Sequence, residues 1–312
     1  IYTLSLHDAL PIFGRGVRRA WEVGKEMARS GLTGLNEGMN IQYALNSAGL
    51  DAALARSATP VVAGVAKLTG GAEEEVGEIL ATAYNNLGKQ VTGTEAEKFS
   101  RLADLATKTQ YKFQIRNFGQ FGETLKNASP SIATFNVQLE QAYTAAGMLN
   151  SAGLQSGTAG TAFNAMLRGL SKGCKEYQPQ IVRAKDGTMD LVATLRKIKS
   201  DTRFMTTDER AQFLQTLFGD EGLKGVVPLL DKVDEFAEAT KDVAEGSKGI
   251  VDKGVAEYLQ TNKAKIDRMT GSLSILAYSL GGAFAPAVEQ GAKVLAAICQ
   301  RSEERRVGKE CR

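Results

Sequence analysis

The apolar positions from Asn127 to Lys172 fall into two stripes. Ile132, Phe135, Leu139, Ala142 and Ala146 recur at spacings of three and four, which places them on one helical face. Ser129 followed by Pro130 predicts the start of that helix. The hydroxyl can accept an orphan N–H, and proline has no N–H to lose at the first helical position. The small, flexible run Asn150 to Gly157 ends the helix, and Thr158 opens a second one striped by Phe163, Met166, Leu167 and Leu170. The pattern is a helical hairpin, and the rest of the chain is read around it.

Helical periodicity also dominates on either side. Phe13 to Ser30 is basic and amphipathic, with Val17 and Trp21 on its apolar side and a solvated charged face; Gly31 to Gly38 reads as a loop. Short helices follow over Met39 to Ala48 and Asp51 to Ala58, and Thr59-Pro60 restarts one that ends at Gly70-Gly71. Glu73, Glu74, Glu75 and Glu78 crowd the start of the helix Ala72 to Lys89, where carboxylates complement the helix dipole. Thr94 with Glu97 forms a capping box. Tyr111 to Phe121 is a turn whose aromatics pack against the hairpin. After the hairpin, Asp186-Gly187 within Tyr177 to Met189 predicts a small two-stranded ribbon near 180–189, and Asp190 caps the next helix. Thr207 to Leu217 ends at Phe218-Gly219, and Leu223 to Ala244 is helical again.

The last stretch is the most regular. Val255, Leu259, Asn262, Ile266, Met269, Leu273, Leu276 and Leu280 alternate spacings of four and three, a heptad seam with one polar member. The fold class is therefore mainly α, a multi-helix bundle of amphipathic hairpins leading into a long heptad-bearing helix. Its expected divisions are an N-terminal helical segment (13–58), a core helical domain (59–245), and the heptad helix with an apolar hairpin (246–300). Met269 to Val288 is 20 residues without a formal charge, close to the roughly 20 needed to cross a bilayer. Three glycines, three serines and Pro286 weaken that span, and a buried hairpin is the preferred reading. A membrane-active protein inserting through 269–298 stays as the alternative.

The two ends change how composition is counted. With one choice of codons, Arg301 to Cys311 reads on the opposite strand, one frame shifted, as Tyr2 to Ile12. The underlying DNA resembles a common short-read sequencing adapter. Residues 1–12 and 301–312 are accordingly expected to be an adapter-like artefact, and 13–300 an internal fragment of a longer reading frame. The single histidine, His7, lies in the excluded part. Excluding five of the 38 basic residues and four of the 35 acidic ones leaves 33 and 31. A balance of +2 is no electrostatic footprint for nucleic acid, and no specific nucleic acid is expected as a partner.

Catalytic patterns are missing. The sequence contains no G-x-S-x-G, H-E-x-x-H, G-x-x-x-x-G-K-[ST] or G-x-G-x-x-G. Without a histidine in 13–300, the usual nucleophile and base pairs cannot be assembled. Cys174 and Cys299 stand far apart with no partners at metal spacing and read as inert thiols. No enzymatic activity, metal or cofactor is expected.

One signature remains. Gly153, Leu154, Gly157, Gly160, Thr161, Ala162 and Leu167, in SAGLQSGTAGTAFNAMLRGLS, precede a later Leu217-Phe218-Gly219. That order resembles the core region of phage tail tape measure proteins, over roughly Thr59 to Glu235. Each of these residues has a structural role, with the glycines supplying positive φ or close helix approach. The resemblance implies a very long, largely helical protein packed in the tube lumen of a phage tail, made in the bacterial cytoplasm during assembly. It also implies that the protein sets tail length and leaves the tube when DNA is delivered. The implied partners are the tail tube protein, tail assembly chaperones and, during ejection, a membrane; self-association as a helical bundle follows from the seam. Cell-wall hydrolases that some members carry are expected outside this stretch.

Overall fold

A computed structural model describes residues 11–281 other than 155 and 176, with side chains from residue 18 onward. Short turns join most successive helices, with a longer connection over 173–190: α1 (Pro11–Ser30), α2 (Leu35–Ser47), α3 (Ala52–Thr69), α4 (Glu73–Leu87), α5 (Glu95–Lys112), α6 (Phe118–Phe135), α7 (Leu139–Ser151), α8 (Ser156–Lys172), α9 (Leu191–Asp201), α10 (Thr207–Asp231), α11 (Val233–Gly246) and α12 (Ile250–Tyr258). A further helix, α13, occupies 262–281. The mainly α class holds, and no strand occurs among the described residues.

Local chemistry sets many of the boundaries. Asp51 starts α3 by accepting from the N–H groups of Ala53 and Leu54 at 2.8 and 2.9 Å, and Gly70 ends it at φ 72°. Thr94 and Glu97 form the expected capping box, Asp190 caps α9 through Ala193, and a second box pairs Thr206 with Glu209. Glu73, Glu74 and Glu75 lie in the first turn of α4, where the helix dipole favours negative charge.

Several expected boundaries fall elsewhere. Ser129-Pro130 is inside α6, not at a helix start, and Thr59-Pro60 is inside α3. A proline within a helix leaves the carbonyl four residues earlier without its donor. For Pro130 that carbonyl belongs to Lys126, and the Ser129 hydroxyl donates to it at 3.1 Å. The residue taken for a cap is the compensation for a proline. The single helix expected from Ile132 to Ala146 is divided at Asn136, which takes the left-handed conformation at φ 51°. The Asn136 carbonyl accepts from Met189 N–H at 2.7 Å, and Gln138 N–H donates back to Met189 at 3.1 Å.

At 180–189 the chain does turn back at Asp186-Gly187, with Ala184 N–H donating to the Thr188 carbonyl and Asp190 N–H to the Val182 carbonyl, both at 2.9 Å, but the pairing stops at isolated bridges, Arg183–Met189 within the turn and Val137–Met189 to the α6–α7 joint, so no two-stranded ribbon forms. The loop predicted through Gly38 closes early, with α2 starting at Leu35. The long heptad helix is divided too: a turn over Leu259–Thr261 separates α12 from α13.

The core is continuous across the segments that the sequence reading separates. Buried apolar residues run from Val23 in α1 to Val251 in α12, and Tyr143, Phe99, Phe118, Phe121, Phe163 and Phe236 are fully enclosed. Each such side chain contributes on the order of 1.5–3 kcal/mol by leaving water. The apolar stripe of α8, Phe163, Met166, Leu167 and Leu170, is wholly buried, and α8 packs most extensively against α10 and α6.

Candidate functional site

The signature residues gather around α8. Gly153 ends α7 at φ 90°, and Leu154 N–H reaches back to the Leu149 carbonyl at 3.0 Å. This is a left-handed stop followed by an apolar residue, and Leu154 packs against the core. Gly157 and Gly160 then face α6: a Cβ on Gly160 would sit 2.6 Å from Asn127 Cβ and 3.0 Å from the Thr124 carbonyl oxygen. Thr161 is exposed and returns its hydroxyl to the Gly157 carbonyl at 2.9 Å, whereas Ala162 and Leu167 are buried.

Leu217, Phe218 and Gly219 meet the opposite side of α8. Gly169 lies against Phe218 and the Leu217 carbonyl, where a Cβ would come within 2.6 and 3.0 Å. Gly219, at φ 67° and ψ 176°, breaks the path of α10 and redirects it. Beyond the bend, Gly225 approaches the Ala162 carbonyl so closely that a Cβ would sit at 2.6 Å. The structure therefore brings the two halves of the signature together, with α8 held between α6 and α10 by missing side chains on both faces.

Buried polar side chains fix the same helices in register. Asn150 donates to Thr124 Oγ1 (3.1 Å) and to the Ala146 carbonyl (2.8 Å), and the Thr124 hydroxyl donates to the Ser156 carbonyl (3.0 Å). Gln141 donates to Asp190 at 2.9 Å and accepts from Val192 N–H at 3.0 Å, tying α7 to the start of α9.

A second polar joint holds the end of the chain. Asp104 on α5 is buried and accepts from the N–H groups of Gly249 (2.8 Å) and Val251 (3.1 Å) at the start of α12. Burial pushes its carboxyl above the usual aspartate range, against the lowering effect of those two hydrogen bonds. Arg101, one turn earlier, donates to Ser247 Oγ at 2.6 Å and to Glu140 at 2.7 Å. Nearby, Lys112 and Lys108 both reach Asp242 of α11 at 2.9 Å and hold its carboxyl low.

The seam residues separate by environment. Val255 packs against Gly64 of α3, whereas Ile266, Met269, Leu273, Leu276 and Leu280 line an exposed stripe on α13. The other side of α13 lies on α1: a Cβ at Gly271 would sit 2.5 Å from the Ala28 carbonyl oxygen, and Tyr278 meets Trp21 edge-on at 5.7 Å. No described helix is long and apolar enough to cross a membrane, and residues 282–298 of the apolar stretch lie outside the described residues. Among the described residues, no three His, Cys, Asp or Glu side chains gather to hold a metal.

The sequence reading missed Asp104, Arg101 and Gly225. A signal for the last was present in Gly222 and Gly225, three residues apart, which mark a helix face lacking side chains after the bend at Gly219. Asp104 carries no local signal, because its partners lie at the far end of the fold.

Residues 22–219 match the family described as phage-related minor tail protein. The chain is also similar to the tape measure protein of Pneumococcus phage Dp-1, with 27% identity over 262 residues. That match takes in 81% of this chain but only 22% of the relative, so the chain spans under a quarter of the relative's length. No solved structure matches. The family match covers α6, α8 and α10 as far as its bend at Gly219, and the chain belongs to the phage-related minor tail protein family, structural components of phage tails.

Proposed function

We propose that this chain is a segment of a tape measure, the protein whose length sets the length of a phage tail as it assembles. The observation that carries the reading is the similarity to the Dp-1 tape measure protein across most of this chain. Its role is mechanical, and no catalytic step is assigned to it. The partners proposed are the tail tube protein and tail assembly chaperones, met first in the bacterial cytoplasm and later in the tube lumen. A role in DNA delivery follows, since a protein that fills the lumen must leave it.

The fold gives this reading physical content. An α-helix rises about 1.5 Å per residue, so a helical ruler converts residue number into length. Buried side chains from Val23 to Val251, however, share one core, so this stretch enters assembly as a folded body or is drawn out from one. Reading the source locus outward past Phe13 and Gln300 tests the assignment. The expected result is an open frame of many hundreds of codons among other tail genes. A short frame with unrelated neighbours overturns it.

A further inference from the structure

We propose that α13 is a clasp holding the fold shut, and that tension along the chain peels it from α1 before the core yields. Its use in a ruler rests on the tape-measure reading; the clasp itself rests on how the two helices meet.

Contacts between the pair descend one helix as they climb the other. Gly31 and Ser30 meet Ala264 and Arg268, Ala28 meets Gly271, and Trp21 meets Tyr278. The helices are therefore antiparallel, and the described chain enters along α1 and leaves along α13 at the same end. A Cβ on Gly31 would sit 2.5 Å from the Ala264 carbonyl oxygen. The 3.1 Å bond from Arg268 Nε to the Ser30 carbonyl joins residues 238 apart in the chain. While the clasp is shut, everything between them adds no more than the width of a helix pair to the distance from entry to exit. Drawn out as helix, the same residues would span about 360 Å.

The clasp is shallow. Among the described residues of α13, Ala264 and Gly271 are the buried ones, seven apart and so on one face. An alanine and a glycine remove little apolar area from water. The remaining hold is Arg268 on the Ser30 carbonyl, with Tyr278 set edge-on to Trp21 and accepting from Asn36 Nδ2 at 3.2 Å. By contrast α1 is built into the body: Val23 and Met27 belong to the core, and Gly24 lies against Leu35 and Met39 of α2. An element with few buried apolar contacts opens at a lower free energy than the core it covers. Geometry acts in the same direction. Force applied where α1 and α13 diverge separates them sideways, so their contacts load one after another, beginning at Trp21 and Tyr278. The next joint is buried Asp104 on Gly249 and Val251, so α12 follows α13.

Stretching the whole 312-residue chain in an optical trap, with handles at its two ends, tests this order. A small reversible opening is expected at low force, ahead of the main unfolding event. Arg268→Ala combined with Tyr278→Ala is expected to speed that first opening about tenfold or more at a given force, or to abolish it, without moving the main event. Gly271→Val, which crowds the Ala28 carbonyl, is expected to do the same. Leu273→Ala, at a position 64% exposed on the same helix, is the control and should alter neither event. Circular dichroism matching the parent separates a lost clasp from a lost fold. A single rupture of the whole fold overturns the proposal, as does a first opening that ignores both the double substitution and Gly271→Val. Either result leaves the tape-measure reading standing, whereas a short reading frame at the source locus would remove that reading and leave the clasp.

Discussion

Asp104 and Gly249 are joined by a 2.8 Å hydrogen bond from backbone to buried carboxylate, across 145 residues of chain. With the neighbouring bond from Val251, it gives the first turn of α12 the acceptor that a local capping residue would otherwise supply. Asp104→Ala is expected to lower stability by about 1–3 kcal/mol in urea unfolding, the usual cost of stranding buried donors. Amide exchange should rise first over Ile250–Tyr258.

The same group carries a pH signature. Its carboxyl is raised in the folded state, so the folded chain holds that proton more tightly than the unfolded chain. This contribution is fully present below the ordinary aspartate range and is lost as pH rises through the folded value. Asp104→Asn removes it. The stability deficit of that variant relative to the parent should therefore be larger near pH 3 than near pH 7. A deficit that grows with pH contradicts the assignment.

Glycines at close approaches should not tolerate side chains. Gly225→Val is expected to cost about 1–3 kcal/mol or more by overpacking against the Ala162 carbonyl, which cannot rotate away. Gly153→Ala meets no atom within 4 Å and should cost only about 1–2 kcal/mol, for its left-handed backbone. Thermal unfolding of both variants separates the two mechanisms.

Ser129 and Pro130 should be coupled. Ser129→Ala removes the hydroxyl that serves the Lys126 carbonyl and also accepts from Asn86 at 2.9 Å. In a Pro130→Ala background the restored N–H serves that carbonyl instead, so Ser129→Ala should cost less there. A double-mutant cycle reads the difference directly, and additive losses contradict the account.

How much of this was legible follows from how far each interaction reaches along the chain. Thr94 with Glu97 and Asp190 with Ala193 act over three residues, and sequence alone located both. The apolar stripe of α8 was equally plain, since periodicity reports a buried face whatever covers it. Ser129-Pro130 misled because the same pair serves a helix start or an interior repair. What decided between them was Met189, which pins the true break at Asn136 from outside the window in which the pattern was read. The two halves of the signature were visible as motifs, but their meeting at Gly169 and Phe218 was not, since no local property of α8 specifies which helix covers it.

Electron microscopy of tails from a phage carrying an in-frame deletion within this stretch tests the central claim most directly. Removing the codons for α9–α11 from the parental gene is expected to give tails shorter by a uniform amount, at most about 1.5 Å per deleted residue. Tails of unchanged length, assembled normally around the shortened protein, would contradict the claim that this segment is part of the ruler.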